Sequence, residues 1–254
     1  MNTEAPSSPR PSRLERIDCP VCNGALFKHL FEKQQEPFVS CAGCGLVLIN
    51  PRPSLTQVAG TYDSGYSQGY IKKAAKKIAR CRRWVRRAAR QQGPGGRWLD
   101  VGCSAGFVVA AAEEIGFEAF GVELEPSAVE YGRRELGLAN LAVGTLETQA
   151  YPASFFDIIS MYDVIEHVAD LNRTVAELAR VLKPTGIIEI RTPDVGHWST
   201  PKDLATWKEV KPSEHLYYFS QATLCRLFAR HGLHLQRRRL MFKSALNCFF
   251  SRGG

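Results

Sequence analysis

The sequence predicts an α/β fold: a doubly wound, mostly parallel sheet with helices on both faces, preceded by a small cysteine-bearing module. Three observations carry that reading. From Arg97 onward, short apolar runs alternate with amphipathic stretches, the order in which strands and helices build a parallel sheet. The first run, RWLDV, feeds a glycine loop, Gly102-Cys103-Ser104-Ala105-Gly106. Ahead of it stand two C-x-x-C pairs, Cys19/Cys22 and Cys41/Cys44, with eighteen residues between them.

The elements follow in order. Residues 1–17, MNTEAPSSPRPSRLERI, form a polar tail rich in Pro and Ser and expected to be disordered. Residues 18–50 hold the cysteine pairs and short alternating apolar stretches, read as small β-hairpins. Residues 51–96 form a linker, with a basic amphipathic helix over 71–91 that has Ile71, Ala74, Ala75, Ile78, Cys81, Val85 and Ala88 at helical spacing. QGPGG, residues 92–96, breaks it. Residues 97–254 form the α/β domain. RWLDV, FEAFGVE, LAVGT, FFDIISMYD, GIIEIRTP and LHLQRRRL are its expected strands. Helices are expected from about Gly106 to Ile115, over PSAVEYGRREL, over LNRTVAELARVL and over SQATLCRLFARHG. An irregular stretch separates Pro193 from Ser220.

A chain of 254 residues with 44% apolar side chains can build a sizeable core. No run reaches the roughly eighteen apolar residues of a membrane span, and the N-terminus lacks the apolar stretch of a signal peptide. The expected location is therefore the cytosol, where a disulfide framework is not expected and the eight cysteines need another use. Thiolates at C-x-x-C spacing, twice, suit one tetrahedral zinc ion on Cys19, Cys22, Cys41 and Cys44. A strand-rich module this small needs such a staple. With four cysteines filling four positions, none is left open for catalysis, so the zinc is expected to be structural.

The glycine loop admits two chemistries. As a cofactor loop, its glycines turn the chain sharply from strand to helix and let backbone approach a ligand. Glu123, at the end of the second strand and twenty-three residues after Asp100, would then accept hydrogen bonds from ribose hydroxyls. As G-x-S-x-G, the same residues would make Ser104 a hydrolase nucleophile. That elbow normally follows several earlier strands of the α/β sheet and an oxyanion loop, whereas here the first α/β strand carries the serine and nothing resembling HGGG precedes it.

From Arg97 to about Leu240 the chain resembles class I S-adenosylmethionine-dependent methyltransferases. WLDVGCSAG matches their glycine-rich first motif, FGVELEPSAVEYG the ribose-binding second, FDIISMYDVIEHV the fourth, and LKPTGIIEIRTP the strand after it. The cysteine module, the NPRPS linker and EHLYYFS (Glu214–Ser220) are similar to those of the zinc-ribbon-bearing subgroup. The resemblance implies a Rossmann-like domain behind a four-cysteine zinc ribbon. It also implies an S-adenosylmethionine cofactor and a small-molecule acceptor: a nucleotide sugar, or a quinone, lipid or natural-product intermediate. Asp100, Gly102, Ser104 and Gly106 would hold the methionine part of the cofactor, and Glu123 its ribose. Leu124, Thr145 and Leu146 would flank the adenine, and Tyr162 and Asp163 would close the pocket. The chain departs from the family in having Ser104 at the middle glycine of the loop. The seventh, antiparallel strand of the family sheet has no clear counterpart, although MFKSALNCFFSRGG would substitute for it or pair with another subunit.

Methylation of a neutral hydroxyl or an acidic carbon needs a base. His167, just past the fourth strand, is the leading candidate. His215 and Tyr217 come next, and Asp163 and Glu166 are alternatives. Tyr62, Tyr66 and Tyr70 would form part of a lid. Of the net charge of +8, residues 71–91 hold ten Lys and Arg and no acid. That density suits an anionic acceptor, a membrane surface or RNA. An RNA methyltransferase and a non-catalytic cofactor-binding scaffold are the alternative readings. The sequence is silent on oligomeric state.

Overall fold

The computed structural model describes residues 14–53, 74–93 and 95–253. Strands β6 (Arg97–Val101), β7 (Glu118–Glu123), β8 (Leu141–Val143), β9 (Phe156–Tyr162), β10 (Leu182–Pro193), β12 (Leu233–Arg238) and β13 (Ala245–Arg252) form a seven-stranded sheet in the order β12-β13-β10-β9-β6-β7-β8. β6 pairs in parallel with β7 and β9, β7 with β8, and β9 with β10. β13 runs antiparallel to both β10 and β12, so β12 points the same way as the other five. The terminal stretch thus supplies the seventh strand within this chain. Of the alternatives the sequence leaves open for MFKSALNCFFSRGG, the structure takes the substitute strand. β12 ends only six residues before it, a hairpin partner, but β10 ends about fifty residues earlier, so its insertion between the two is not a local feature.

The sheet splits the core by residue parity. Trp98, Ile158, Ile187 and Phe249 face one apolar cluster, while Leu99, Ile159, Ile188 and Phe250 face the other. Successive strand side chains point to opposite faces, so one strand feeds both layers. Helices α1 (Ala74–Gln92), α2 (Phe107–Glu113) and α3 (Pro126–Glu135) cover the first face through Val85, Val108 and Val129. Helices α4 (Leu171–Val181) and α5 (Gln221–Ala229) cover the second through Val175, Leu178, Leu224 and Phe228. Asp170 caps α4 by accepting from the Arg173 amide, and Ser220 with Thr223 forms a capping box on α5. α4 stops at Val181, and Pro184 lies inside β10. It falls in a register irregularity between Leu182 and Ile187, where a missing N–H costs no ladder bond.

The cysteine module packs on the second face, and its buried Cys19, Val21, Val39, Leu46 and Leu48 belong to the same cluster as Val175 and Leu224. Its strands β2 (Phe27–Lys33), β3 (Glu36–Cys41) and β4 (Val47–Ile49) form an antiparallel sheet. The fourth strand of that sheet is β11 (Tyr217–Tyr218), contributed by the stretch whose sequence reads as irregular. Residues 14–17, expected as part of the tail, are ordered. β1 (Leu14–Glu15) pairs with β5 (Arg52–Pro53), the Asn50 side chain bonds both the amide and the carbonyl of Ile17, and Glu15 pairs with Arg52 at 3.0 Å. Residues 1–13, the candidate lid at Tyr62, Tyr66 and Tyr70, and the first residues of the basic segment lie outside the described residues.

Candidate active site

The site assembles at the carboxyl end of the parallel strands, the usual place for a ligand in such sheets. Asp100 is the penultimate residue of β6 and is 4% exposed. Its Oδ1 accepts from the Ser160 hydroxyl at 2.6 Å, and Ser160 in turn accepts from the Trp98 indole N–H at 2.9 Å. Burial pushes the Asp100 carboxyl up to about 7; the Ser160 bond opposes the rise and the Glu123 charge adds to it. The loop that follows takes positive φ at Gly102 (71°), Ser104 (50°) and Gly106 (80°). A Cβ on Gly102 would sit 2.3 Å from Val164 Cγ2, and one on Gly106 would sit 2.5 Å from Leu138 Cδ1. Both positions therefore require glycine on two counts, backbone conformation and close approach.

Glu123 ends β7 with its carboxylate already held. The Ser104 amide donates to Oε2 at 2.8 Å, and the Leu124 and Glu125 amides donate to Oε1 at 2.7 and 3.1 Å. A carboxylate has about four lone-pair sites, and these three amides leave about one for a ribose hydroxyl. Ser104 joins the site through its backbone, and no histidine bonds its hydroxyl among the described residues. The Gly144 amide donates to the Glu123 carbonyl at 2.8 Å and so brings Thr145 alongside. Leu124 and Thr145 are exposed, whereas Leu146 is 2% exposed and packs in the core, so of that pair only Thr145 offers its side chain at the surface.

Tyr162 ends β9, and Asp163 follows it with a positive φ of 56°. The Tyr162 hydroxyl donates to Glu189 Oε2 at 2.7 Å, and Glu189 Oε1 accepts from the Asn247 amide at 2.8 Å. Arg191 pairs with Asp163 at 2.6 Å and stacks over Trp84 of α1, whose indole meets Tyr162 edge-on at 5.3 Å. Three members of this network, Ser160, Glu189 and Asn247, do not stand out as site residues in the sequence. Their one signal is a polar residue set inside an apolar strand.

Past Val164, whose side chain abuts Gly102, a single 3₁₀ turn presents Ile165, Glu166 and His167. The Leu216 amide donates to the Glu166 carbonyl at 2.8 Å and draws the 214–219 segment onto this turn. His167 and His215 then meet edge to face with ring centroids 4.6 Å apart, and His167 Nδ1 lies 2.7 Å from the Glu214 carbonyl. Donation to that carbonyl leaves Nε2 with its lone pair. Glu166 Oε2 accepts from Thr192 at 2.9 Å, whereas Glu166 Oε1 and His215 Nδ1 are buried without a partner. One ligand atom from each of Glu166, His167 and His215 lies within 4.8 Å of the others. Burial holds the His167 imidazole below its usual value; burial and the neighbouring His167 push His215 down to about 3; burial and the Asp163 charge push Glu166 up to about 8. Tyr217 is not at this cluster. Its hydroxyl bonds Arg52 on the module side, and burial pushes it up to about 12, so it is no base for this site.

The four module cysteines converge separately. Their sulfurs lie within 4.8 Å of one another, with Cys19–Cys44 at 3.5 Å and Cys22–Cys41 at 3.4 Å. A tetrahedron with about 2.3 Å metal–sulfur bonds has edges of about 3.8 Å, so the quartet fits zinc closely. Burial raises the Cys19 and Cys44 thiols, whereas at Cys41 burial is outweighed by the Gly43 amide, the Cys22 thiol and the Cys44 amide, which bring that thiol down to about 7.

Compared with known proteins, residues 71–237 match the family model described as a methyltransferase domain. The chain belongs to that family. The chain is 30% identical over 128 residues to a ubiquinone biosynthesis O-methyltransferase of Bradyrhizobium diazoefficiens, covering 49% of each chain. It is 27% identical over 164 residues to a malonyl-[acyl-carrier protein] O-methyltransferase of Serratia marcescens, covering 63% of this chain and 64% of that one. The chain thus spans roughly half to two thirds of the length of these curated relatives. A TehB-like methyltransferase from Corynebacterium glutamicum shares the fold at a TM-score of 0.58 and 16% identity, covering 75% of this chain and all of its own. A methyltransferase from Mesorhizobium loti does so at 0.56 and 16%, covering 66% and 95%. S-adenosylmethionine is the methyl donor of this family. No helix among the described residues is long and apolar enough to cross a membrane.

Proposed function

We propose that the protein transfers a methyl group from S-adenosylmethionine to a hydroxyl of a small molecule, with His167 as the base, and that a structural zinc ion sits on Cys19, Cys22, Cys41 and Cys44. The observation that supports the transfer most is the juxtaposition through Val164. It sets a cofactor-type glycine loop against a turn carrying a neutral imidazole with a free Nε2. The names of the relatives, both O-methyltransferases, support oxygen as the accepting atom.

S-adenosylmethionine, when bound, supplies an electrophilic methyl group on a sulfonium. The protein's part is to orient and to deprotonate. Glu123 would fix the ribose, and the loop from Gly102 to Gly106 would admit the methionine part. Asp100 would face its ammonium. His167 Nε2 would take the hydroxyl proton, with Nδ1–H held by the Glu214 carbonyl. The acceptor would lie in line between His167 and the loop, where positioning lowers the barrier.

Two specific atoms favour a second reading of the same cluster. Glu166 Oε1 and His215 Nδ1 are buried and unpartnered, which is costly unless something binds there. With His167 they would hold a divalent cation, a Lewis acid that lowers a hydroxyl's pKa. Transfer of labelled methyl to a panel of phenols, catechols and nucleotide sugars tests both readings. His167→Ala is expected to cut turnover at least 100-fold with S-adenosylhomocysteine affinity unchanged. Equal turnover in the variant would remove His167 as base. Turnover that rises only with added Mg²⁺ or Mn²⁺, together with Mn²⁺ binding seen by proton relaxation, would select the cation. Cofactor binding with no transfer to any acceptor would favour the scaffold.

Asp100 adds a pH dependence. Its free carboxyl sits near 7, facing Glu123, Glu189 and Arg191. A bound ammonium favours the carboxylate, so binding lowers this pKa and releases a proton. Affinity for S-adenosylhomocysteine is therefore fully present above about pH 7 and falls as pH drops below it. Calorimetry from pH 5.5 to 8.5 in two buffers of different ionisation heat checks this; a flat profile with no proton release would contradict it.

A further inference from the structure

Three large apolar side chains stand out in water on the edge that carries the candidate active site: Trp198 at 82% exposure, Leu240 at 86% and Phe242 at 95%. Strand register fixes their place. Pro193 at the end of β10 pairs with Ala245 at the start of β13, so segments 194–203 and 239–244 both leave the sheet there. β9 delivers Tyr162 to the same end, opposite Arg191 of β10.

The two segments are tied together and anchored. His197, itself buried, contacts the Met241 carbonyl at 3.0 Å through Nε2. The Asp194 amide donates to the Ser244 carbonyl at 3.0 Å, the Arg239 amide to the Asn247 carbonyl at 2.8 Å, and the Trp207 indole to Ser244 Oγ at 3.1 Å. The backbone is fixed while the side chains project outward. A single exposed apolar residue is ordinary, but three on two joined loops mark an interaction site.

The charge around them names the partner. Arg237 and Lys243 are exposed and Arg239 half-buried, while Arg238 is engaged with Asp194. On the other segment Lys202 and Asp203 cancel. The contact of Trp84 with Tyr162 brings exposed Lys76, Arg80 and Arg83 of α1 to this edge too. Trp, Leu and Phe flanked by Arg and Lys are the side chains that settle at the boundary between acyl chains and anionic headgroups.

We propose that Trp198, Leu240 and Phe242 insert into the interfacial zone of an anionic lipid bilayer, with Arg237, Arg239 and Lys243 on the lipid phosphates. The binding surface stands on exposure and charge. Its consequence, that the acceptor reaches the site from the lipid phase, rests on the function proposed above.

Flotation of the full chain with vesicles, with neither cofactor nor acceptor present, separates the two. The protein is expected to float with phosphatidylcholine vesicles containing 30% phosphatidylglycerol and not with phosphatidylcholine alone. Trp198 emission should shift to the blue on binding. The double variant Leu240→Ser/Phe242→Ser should lower the bound fraction at least tenfold with an unchanged melting temperature, since both side chains lie outside the core. Absence of wild-type binding to the anionic vesicles would overturn the proposal. So would equal binding by the double variant, which would leave the charge of α1 as the whole cause. Self-association of the wild type that the double variant loses would instead make the patch an interface between copies, and would equally overturn it.

Discussion

Replacing Glu123 by alanine is expected to weaken S-adenosylhomocysteine binding by about 10- to 100-fold, the effect of losing hydrogen bonds to a charged group worth roughly 1.5–3 kcal/mol. The variant loses more than a ribose contact. The Ser104, Leu124 and Glu125 amides share that carboxylate, so its removal also releases the glycine loop from the end of β7. Glu123→Gln separates the two effects. Its amide oxygen still accepts from backbone, but it has one acceptor atom where glutamate has two, so an intermediate loss is expected. Isothermal titration of wild type and both variants gives the answer. Unchanged affinity in the alanine variant would mean that the cofactor does not lie across the end of β7.

The second large effect is expected at the cysteine quartet. Cys41→Ala should abolish stoichiometric zinc, near one ion per chain in the wild type by elemental analysis, and should lower the melting temperature sharply. A structural zinc contributes about 10–16 kcal/mol of apparent binding energy in small modules, against a typical whole-domain stability of about 5–15 kcal/mol. The damage should reach the active site by a definite route. The Ile49 amide of β4 donates to the Leu216 carbonyl at 3.1 Å, β4 pairs with β11, and Leu216 bonds Glu166. The sheet of the cysteine module therefore positions His215. Methyl transfer should fall further than S-adenosylhomocysteine affinity, because the loop and Glu123 belong to the other sheet. Wild-type protein that carries no metal, or a variant that melts with the wild type, would remove the staple.

The first of these experiments probes what was legible in the sequence. The strand-to-loop transition at Asp100, the need for glycine at 102 and 106, and the acid ending the second strand are local features. Each depends on residues close in the chain, on turn conformation and on apolar periodicity, so each is written where it acts. The cysteine quartet is legible for a related reason: C-x-x-C spacing sets a turn before any tertiary contact forms.

What the chain order could not convey is which distant segments meet. MFKSALNCFFSRGG has no clear place in the sequence pattern, and packing against β10, about fifty residues earlier, inserts it beside β12. EHLYYFS reads as an irregular segment, yet two of its residues complete the sheet of the cysteine module and a third, His215, lies against His167, forty-eight residues earlier. Ser160 reads as a polar interruption of an apolar run until Asp100 and Trp98 close on it. Tyr217 and His215 are comparable candidates for the base by composition and place. The pleat sends Tyr217 to Arg52 and leaves His215 at the cluster, because side chains two apart share a face only in a continuous strand and β11 begins between them. By itself the sequence determined the class of fold, the glycine loop after the first sheet strand and the two cysteine pairs, since these are short-range patterns. The tertiary structure alone decided the composition of the Glu166–His167–His215 cluster, the joining of the cysteine module to it and the exposed rim, since each depends on burial and on pairing between segments far apart in the chain.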